Sequence, residues 1–193
     1  MKPIVRLLPV LLILAGLLQG CAGAVVGGAG VAAIHDRRSV GTFVDDEIIE
    51  IKATEQIFDD KELFSSTHIN VTAYNNIVLL SGEAPAEALR QRAYDIVAAI
   101  AKVRKVHNEI IIAAPSALLS RSSDTWITAK VKTNLVNIKN HPDFDPTRVK
   151  VISENGTVFL MGLVKRSEAK IVIDATRKVS GVQRVVKLFE YIN

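Results

Sequence analysis

One cysteine, Cys21, in 193 residues leaves the chain no internal disulfide to form, so its folded part is held by burial and not by covalent staples. The four histidines, His35, His68, His107 and His141, show no HxxxH or HxxE spacing, and with no cysteine pair beside them the sequence gives no metal-ligand set. No GxxxxGK[ST] or GxGxxG loop follows a strand, and no G-x-S-x-G elbow occurs, which removes the usual signatures of nucleotide binding and of serine hydrolases. Catalytic residues, metal and cofactor are therefore all expected to be none. A long apolar run is missing too: Leu7 to Leu18, flanked by Arg6 and Gln19-Gly20, is twelve residues, against about 20 for a membrane span. With Lys2 and Arg6 before it and small residues after it, this stretch has the three parts of an export signal, and residues 1–20 are excluded from the fold.

What the chain has instead is self-similarity. "DEIIEIKATEQI" (Asp46 to Ile57) aligns with "DTWITAKVKTNL" (Asp124 to Leu135), "NNIVLLSG" (Asn75 to Gly82) with "NGTVFLMG" (Asn155 to Gly162), and "VRKVHNEIII" (Val103 to Ile112) with "VQRVVKLFEY" (Val182 to Tyr191), each about 80 residues apart. The first block of each copy has helical spacing: Ile49, Ala53 and Ile57, answered by Ile127, Val131 and Leu135, with Asp124 expected as the N-cap of the second. "INVTA" and "VKVIS" alternate, and Asn75-Asn76 and Asn155-Gly156 join them to apolar strands as hairpins. A second helix carries Leu89, Ala93, Ile96, Val97 and Ile100, matched by Ala169, Val172, Ile173, Thr176 and Val179, and a last strand closes each unit. The fold class is α+β: two tandem units, each αββαβ with a three-stranded mixed sheet packed on two helices. A unit of some 70 residues is marginal alone, so the copies are expected to pack together. Gly82 and Gly162 are read as points of bending or close packing and not as a ligand site.

The apolar strand ending in Gly82 or Gly162, the helix after it, and "SGVQRVVKLF" (Ser180 to Phe189) together resemble the BON domain, a bacterial periplasmic and outer-membrane module. Family helices usually end in Gly-Val, as at Gly181-Val182; Lys102-Val103 stands there in copy one, which is expected to end its helix differently. Leu18-Gln19-Gly20-Cys21 resembles the lipobox of bacterial lipoproteins, although Gln19 stands where a small or apolar residue is usual. That resemblance implies a Cys21 that is acylated and becomes the new N-terminus, and two or more chains make such anchoring stable. Ala22, where an aspartate would imply inner-membrane retention, implies transport to the outer membrane. The expected organisation is a signal peptide over 1–20, a lipidated flexible linker over 21–44, BON domain one over 45–114, a linker over 115–123 and BON domain two over 124–193. The whole pattern resembles the dual-BON outer-membrane lipoproteins.

Charge separates the copies. From Asp45 to Ala113 there are seven Lys/Arg against twelve Asp/Glu; from Asp124 to Asn193 the numbers reverse. An acidic and a basic copy attract each other, or the basic copy meets an anionic partner. Nucleic acid is a poor candidate for an exported chain. In the first helix of copy two, Ile127, Val131, Leu135 and Ile138 make the core stripe, and Trp126 falls to one side in line with Lys130, Thr133 and Asn137. Two places for Trp126 follow: a lipid-headgroup face, or the junction between the copies. Ile48, its counterpart, is flanked by Glu47 and Glu50.

The resemblance implies a non-catalytic envelope protein that binds anionic phospholipid through its second BON copy, supports envelope integrity and acts at the division site. On that reading the phospholipid-binding residues are Trp126, Lys130, Thr133 and Asn137, with Lys132 and Lys139 as weaker candidates on other faces. The alternative is a protein adaptor for periplasmic envelope or cell-wall enzymes, with Trp126 buried between the domains.

Overall fold

A hairpin decides each half of the molecule. Asn75 and Asn76 take φ of 54° and 60°, and Asn155 and Gly156 take 49° and 69°, the paired positive φ values of tight turns that match strand twist. They join β1 (His68–Tyr74) to β2 (Ile77–Ala84), and β5 (Val149–Glu154) to β6 (Thr157–Lys165), both antiparallel. The computed structural model describes residues 36–116, 118–139, 141 and 144–193. The export segment, Cys21 and the spacer up to residue 35 lie outside the described residues.

Copy one begins with α1 (Val40–Asp59) and a short α2 (Lys61–Ser66), and after the hairpin come α3 (Glu87–Ala98), β3 (Lys105–Asn108) and β4 (Ile111–Ile112). Strands β3 and β4 run parallel to β2 in one register, Leu80 facing Asn108 and Glu83 facing Ile111, so they are one edge strand interrupted at Glu109-Ile110. Copy two has α4 (Leu118–Val136), a 3-10 turn (Pro146–Arg148), the hairpin, α5 (Arg166–Arg177) and β7 (Arg184–Ile192), which pairs parallel with β6 along nine residues. The expected order, two helices on a mixed three-stranded sheet, holds in both halves, with the short α2 added in copy one.

Both long helices start before the boundaries read from sequence. Helix α1 begins at Val40 because the Ser39 hydroxyl accepts from the Thr42 amide, which takes residues 40–44 out of the expected linker. Helix α4 begins at Leu118, so most of the expected 115–123 linker is helical. Asp124 is therefore not an N-cap. It lies within the helix, 6% exposed, and its carboxylate accepts from the Asn155 and Gly156 amides at 2.9 and 3.0 Å. Asp46 does the same in copy one, accepting from Asn75 and Asn76 at 2.8 and 2.7 Å. Each first helix is thus fixed to the hairpin turn beneath it by a buried carboxylate.

Lys102 is also a correction. It takes φ of 72°, beside 98° for Gly181, so copy one ends its helix in the same left-handed way as copy two, at a cost of about 1 kcal/mol relative to glycine. Gly82 and Gly162 are points of close packing, as expected: a Cβ at Gly82 would collide with the His68 carbonyl oxygen, and one at Gly162 would stand 2.6 Å from that of Arg148.

Three apolar clusters hold the unit Arg37–Asn193 together. In the first, Ile49, Ala53, Leu89, Ala93 and Val97 lie over Val78 and Leu80; in the second, Ile127, Val131, Leu135, Ala169 and Val172 lie over Val158 and Leu160. The third is built from the opposite faces of the two sheets, with Tyr74, Ile77 and Leu79 from one copy against Phe159, Met161 and Leu188 from the other. Strand alternation is why β2 and β6 read as unbroken apolar runs: odd and even positions are both buried, one set under helices and the other against the partner sheet. The result is four layers, helices outside and two sheets within.

Candidate functional site

The rotation of α4 about its axis is fixed twice over. Asp124 points in at the hairpin turn, and Ile127, Val131 and Leu135 are 5%, 0% and 2% exposed in the second core. At 100° per residue the opposite side must face solvent, and Trp126 is 68% exposed. Trp126, Lys130, Thr133 and Asn137, the four residues singled out in the sequence, line one shallow depression together with Ala129 and Asn134. The Thr133 hydroxyl donates to the Ala129 carbonyl and Asn134 Nδ2 to the Ala175 carbonyl of α5, both at 2.9 Å, so the floor is held by hydrogen bonds within α4 and to its neighbour. An indole with an ammonium one turn along is suited to a headgroup layer, the ring at the interface and the charge on phosphate.

The other place considered for Trp126, the junction between the copies, is overturned. Phe159, Met161, Tyr74 and Leu79 fill that junction, and the tryptophan is on the outer face of the helix layer. Lys132 and Lys139 are exposed but do not line the depression. Sequence reasoning passed over the cations of α5. Lys170 and Lys178 line a neighbouring depression with Ile138 and His141, and Arg177 is exposed on the same helix. Their signal was present as Lys170, Arg177 and Lys178 on the polar side of the α5 stripe.

Domain one offers a different face. On α1, Val40, Val44, Ile48, Ile51 and Phe58 are all exposed, and Phe58 pairs with Phe64 of α2 at 4.4 Å between ring centroids. Glu50, read as a flanking acid, is engaged: it accepts from the Ala73 amide and from Lys150 Nζ of domain two, both at 2.7 Å.

At one end of the seam between the domains the fold gathers charged groups that are far apart in sequence. His68 and Glu83 face each other across the β1–β2 ladder, and Glu154 approaches from β5 of the other copy, with His68 Nε2 3.9 Å from a Glu154 oxygen. Glu83 and Glu154 are 1% and 7% exposed. Burial pushes the Glu154 carboxyl up to about 7; the Asn70 hydrogen bond and the charge of Arg121 oppose this, while the charges of Glu83 and Asp124 add to it. Burial also holds the His68 imidazole below its ordinary range, with the charge of Arg121 acting the same way and Glu83 against.

With the geometry in place, comparison with known proteins is decisive about kinship. The BON domain model matches residues 45–114 and again 123–193. The chain belongs to the BON domain family. It is 36% identical over 181 residues, 91% of each chain, to outer membrane lipoprotein DolP of Haemophilus influenzae. It is also 36% identical to the 21 kDa hemolysin of Actinobacillus pleuropneumoniae, over 81% of this chain and 79% of that one. Among solved structures, the C-terminal domain of CdsD, a structural protein of the type III secretion system of Chlamydia trachomatis, aligns with 77% of this chain and 67% of its own at 15% identity and a TM-score of 0.30. On the first two relationships the chain is an outer-membrane lipoprotein of the dual-BON, DolP-like kind. Neither the family nor these relatives are named for an enzyme, and among the described residues no helix is long and apolar enough to cross a membrane.

Proposed function

We propose that the chain, acylated at Cys21 on the periplasmic face of the outer membrane, binds anionic phospholipid through the outer face of α4 and so supports envelope integrity, acting at the division site. The observation that carries the reading is the 68% exposure of Trp126 beside Lys130. Leaving a tryptophan in water forgoes about 1.5–3 kcal/mol of burial that an interface would return. Basic residues near an anionic surface add about 1 kcal/mol each, and domain two, with twelve Lys/Arg against seven Asp/Glu, supplies them. Co-sedimentation with vesicles of cardiolipin or phosphatidylglycerol tests this. Trp126→Ala and Lys130→Glu are expected to leave more of the protein in the supernatant; unchanged sedimentation of both refutes the lipid face.

The adaptor reading keeps support of its own from the exposed apolar side of α1 and the Phe58–Phe64 pair in the acidic domain. That combination suits a basic, amphipathic segment of a periplasmic protein of the division or outer-membrane assembly machinery. Phe58→Ser with Phe64→Ser would remove capture of such a protein without altering vesicle binding.

A further inference from the structure

We propose that His68, Glu83 and Glu154 form a site for one divalent transition-metal ion, zinc being the best fit, that ties the two BON domains together at their seam. Each of the three offers a ligand atom, and these atoms lie within 4.8 Å of one another. In a zinc site with bonds of about 2.0–2.2 Å the ligand atoms are roughly 3.5 Å apart, so side-chain rotations of about an ångström close the set. One imidazole nitrogen with two carboxylates favours a borderline ion such as zinc over calcium or magnesium, which take oxygen alone.

Three further observations favour a cation here. Neither Glu83 nor Glu154 lies within ion-pair range of a lysine or arginine among the described residues. Two buried carboxylates without a contact ion pair are costly, and Arg121 bears on Glu154 only through its charge. Arg121, which lines the adjoining cavity, uses its guanidinium on the Ser116 carbonyl at 3.0 Å. Ser81 is on the same face of β2 as Glu83, two residues away and opposite Asn70 in the ladder; it is 1% exposed and its hydroxyl has no hydrogen-bond partner.

The carboxylates are also oriented as metal ligands are. Asn70 Nδ2 donates to one Glu154 oxygen at 2.7 Å, Asn155 Nδ2 donates to Glu83, and the Ser116 amide donates to the other Glu83 oxygen at 3.3 Å. Each carboxylate keeps lone pairs for an ion. The cavity of about 450 Å³ lined by His68, Asn70, Arg121 and Glu154 opens on the cluster and gives the entry path. Because Glu154 comes from one domain and His68 and Glu83 from the other, a bound ion would resist their separation. The α4 depression of Trp126 is on the opposite side of that helix, so this site stands independently of the lipid reading.

The test is calorimetric titration of the untagged, chelator-treated mature chain with zinc sulfate, alongside thermal unfolding with and without the metal. One equivalent bound, a rise in the unfolding midpoint, and binding weakened at least about tenfold in both His68→Ala and Glu154→Gln, while His107→Ala binds as the parent does, are the expected results. Glu154→Gln keeps the volume and the Asn70 contact, and circular dichroism without metal confirms that each variant is folded. No zinc binding by the parent chain, or equal binding by His68→Ala and Glu154→Gln, overturns the site.

Discussion

Arg37 reaches Glu168 with two hydrogen bonds, Nη1 to Oε2 at 2.7 Å and Nη2 to Oε1 at 2.9 Å, and so fastens the segment before α1 to the start of α5 in the other domain. Arg37 Nη1 also donates to the Leu163 carbonyl at 2.9 Å, and Arg148 approaches the same carboxylate at 3.2 Å. The glutamate is 5% exposed, so little solvent screens the pair. Arg37→Ala is expected to cost about 2 kcal/mol in chemical denaturation, and Glu168→Ala more, because it removes the one acceptor that the Arg37 and Arg148 guanidinium groups share. A loss below about 0.5 kcal/mol for Arg37→Ala would show that the N-terminal segment is not held this way.

Acid should undo the same lock. Burial alone would raise the Glu168 carboxyl, but the Arg37 hydrogen bonds, the Lys165 amide and the charges of Arg37 and Arg148 together hold it below the ordinary carboxylate range. A carboxyl depressed in the folded state contributes stability that is present above its unfolded value, about 4.3, and is lost as pH falls through the folded value. The unfolding midpoint of the parent chain should therefore drop below about pH 4 more steeply than that of Glu168→Gln. Parallel pH profiles for the two would contradict this.

Asp46 and Asp124 carry matching loads, each holding two turn amides from inside a helix. Asp124→Ala leaves the Asn155 and Gly156 amides without an acceptor in a buried place, a loss of about 2–3 kcal/mol. Asp46→Ala frees the Asn75 and Asn76 amides in the same way and also removes a carboxylate that Arg38 holds at 2.6 Å. Urea unfolding should thus rank Asp46→Ala as the more damaging of the two.

Gly82→Ala is expected to destabilise more than Gly162→Ala. The new methyl at Gly82 meets the His68 carbonyl oxygen, and the residue has φ of 113°, where an L side chain is strained. At Gly162 only the approach to the Arg148 carbonyl is at stake. Thermal unfolding that finds the two variants equal would mean that β1 shifts freely away from β2.

The repeat, the hairpins and the helical stripes were legible because each rests on local chemistry: Asn-Asn and Asn-Gly at positive φ, and apolar residues three and four apart. Asp124 was misread because an aspartate ahead of a helical stripe has the look of a cap, and only the position of the turn at Asn155-Gly156 shows that it is a tertiary acceptor. Helix α2 went unread since "KELFSS" is too short to show a period; its cap, Asp60 accepting from Glu62 and Leu63, gives it away only afterwards. The exposed side of α4 was readable from a wheel, since Ile127, Val131 and Leu135 leave Trp126 only one direction. No local pattern links His68 and Glu83 to Glu154, because the sheet-on-sheet packing that brings them together is a property of both copies at once.

The central claim is that Trp126 is the part of domain two that enters a lipid surface, and the chain holds one tryptophan, so its emission reports that residue alone. The measurement is the emission spectrum of the mature chain titrated with cardiolipin or phosphatidylglycerol vesicles, with acrylamide quenching. A solvent-type emission that moves to the blue and becomes protected from quencher, with neutral phosphatidylcholine vesicles giving a smaller change, is the predicted result. An emission and quenching constant that stay unchanged with anionic vesicles would contradict the account.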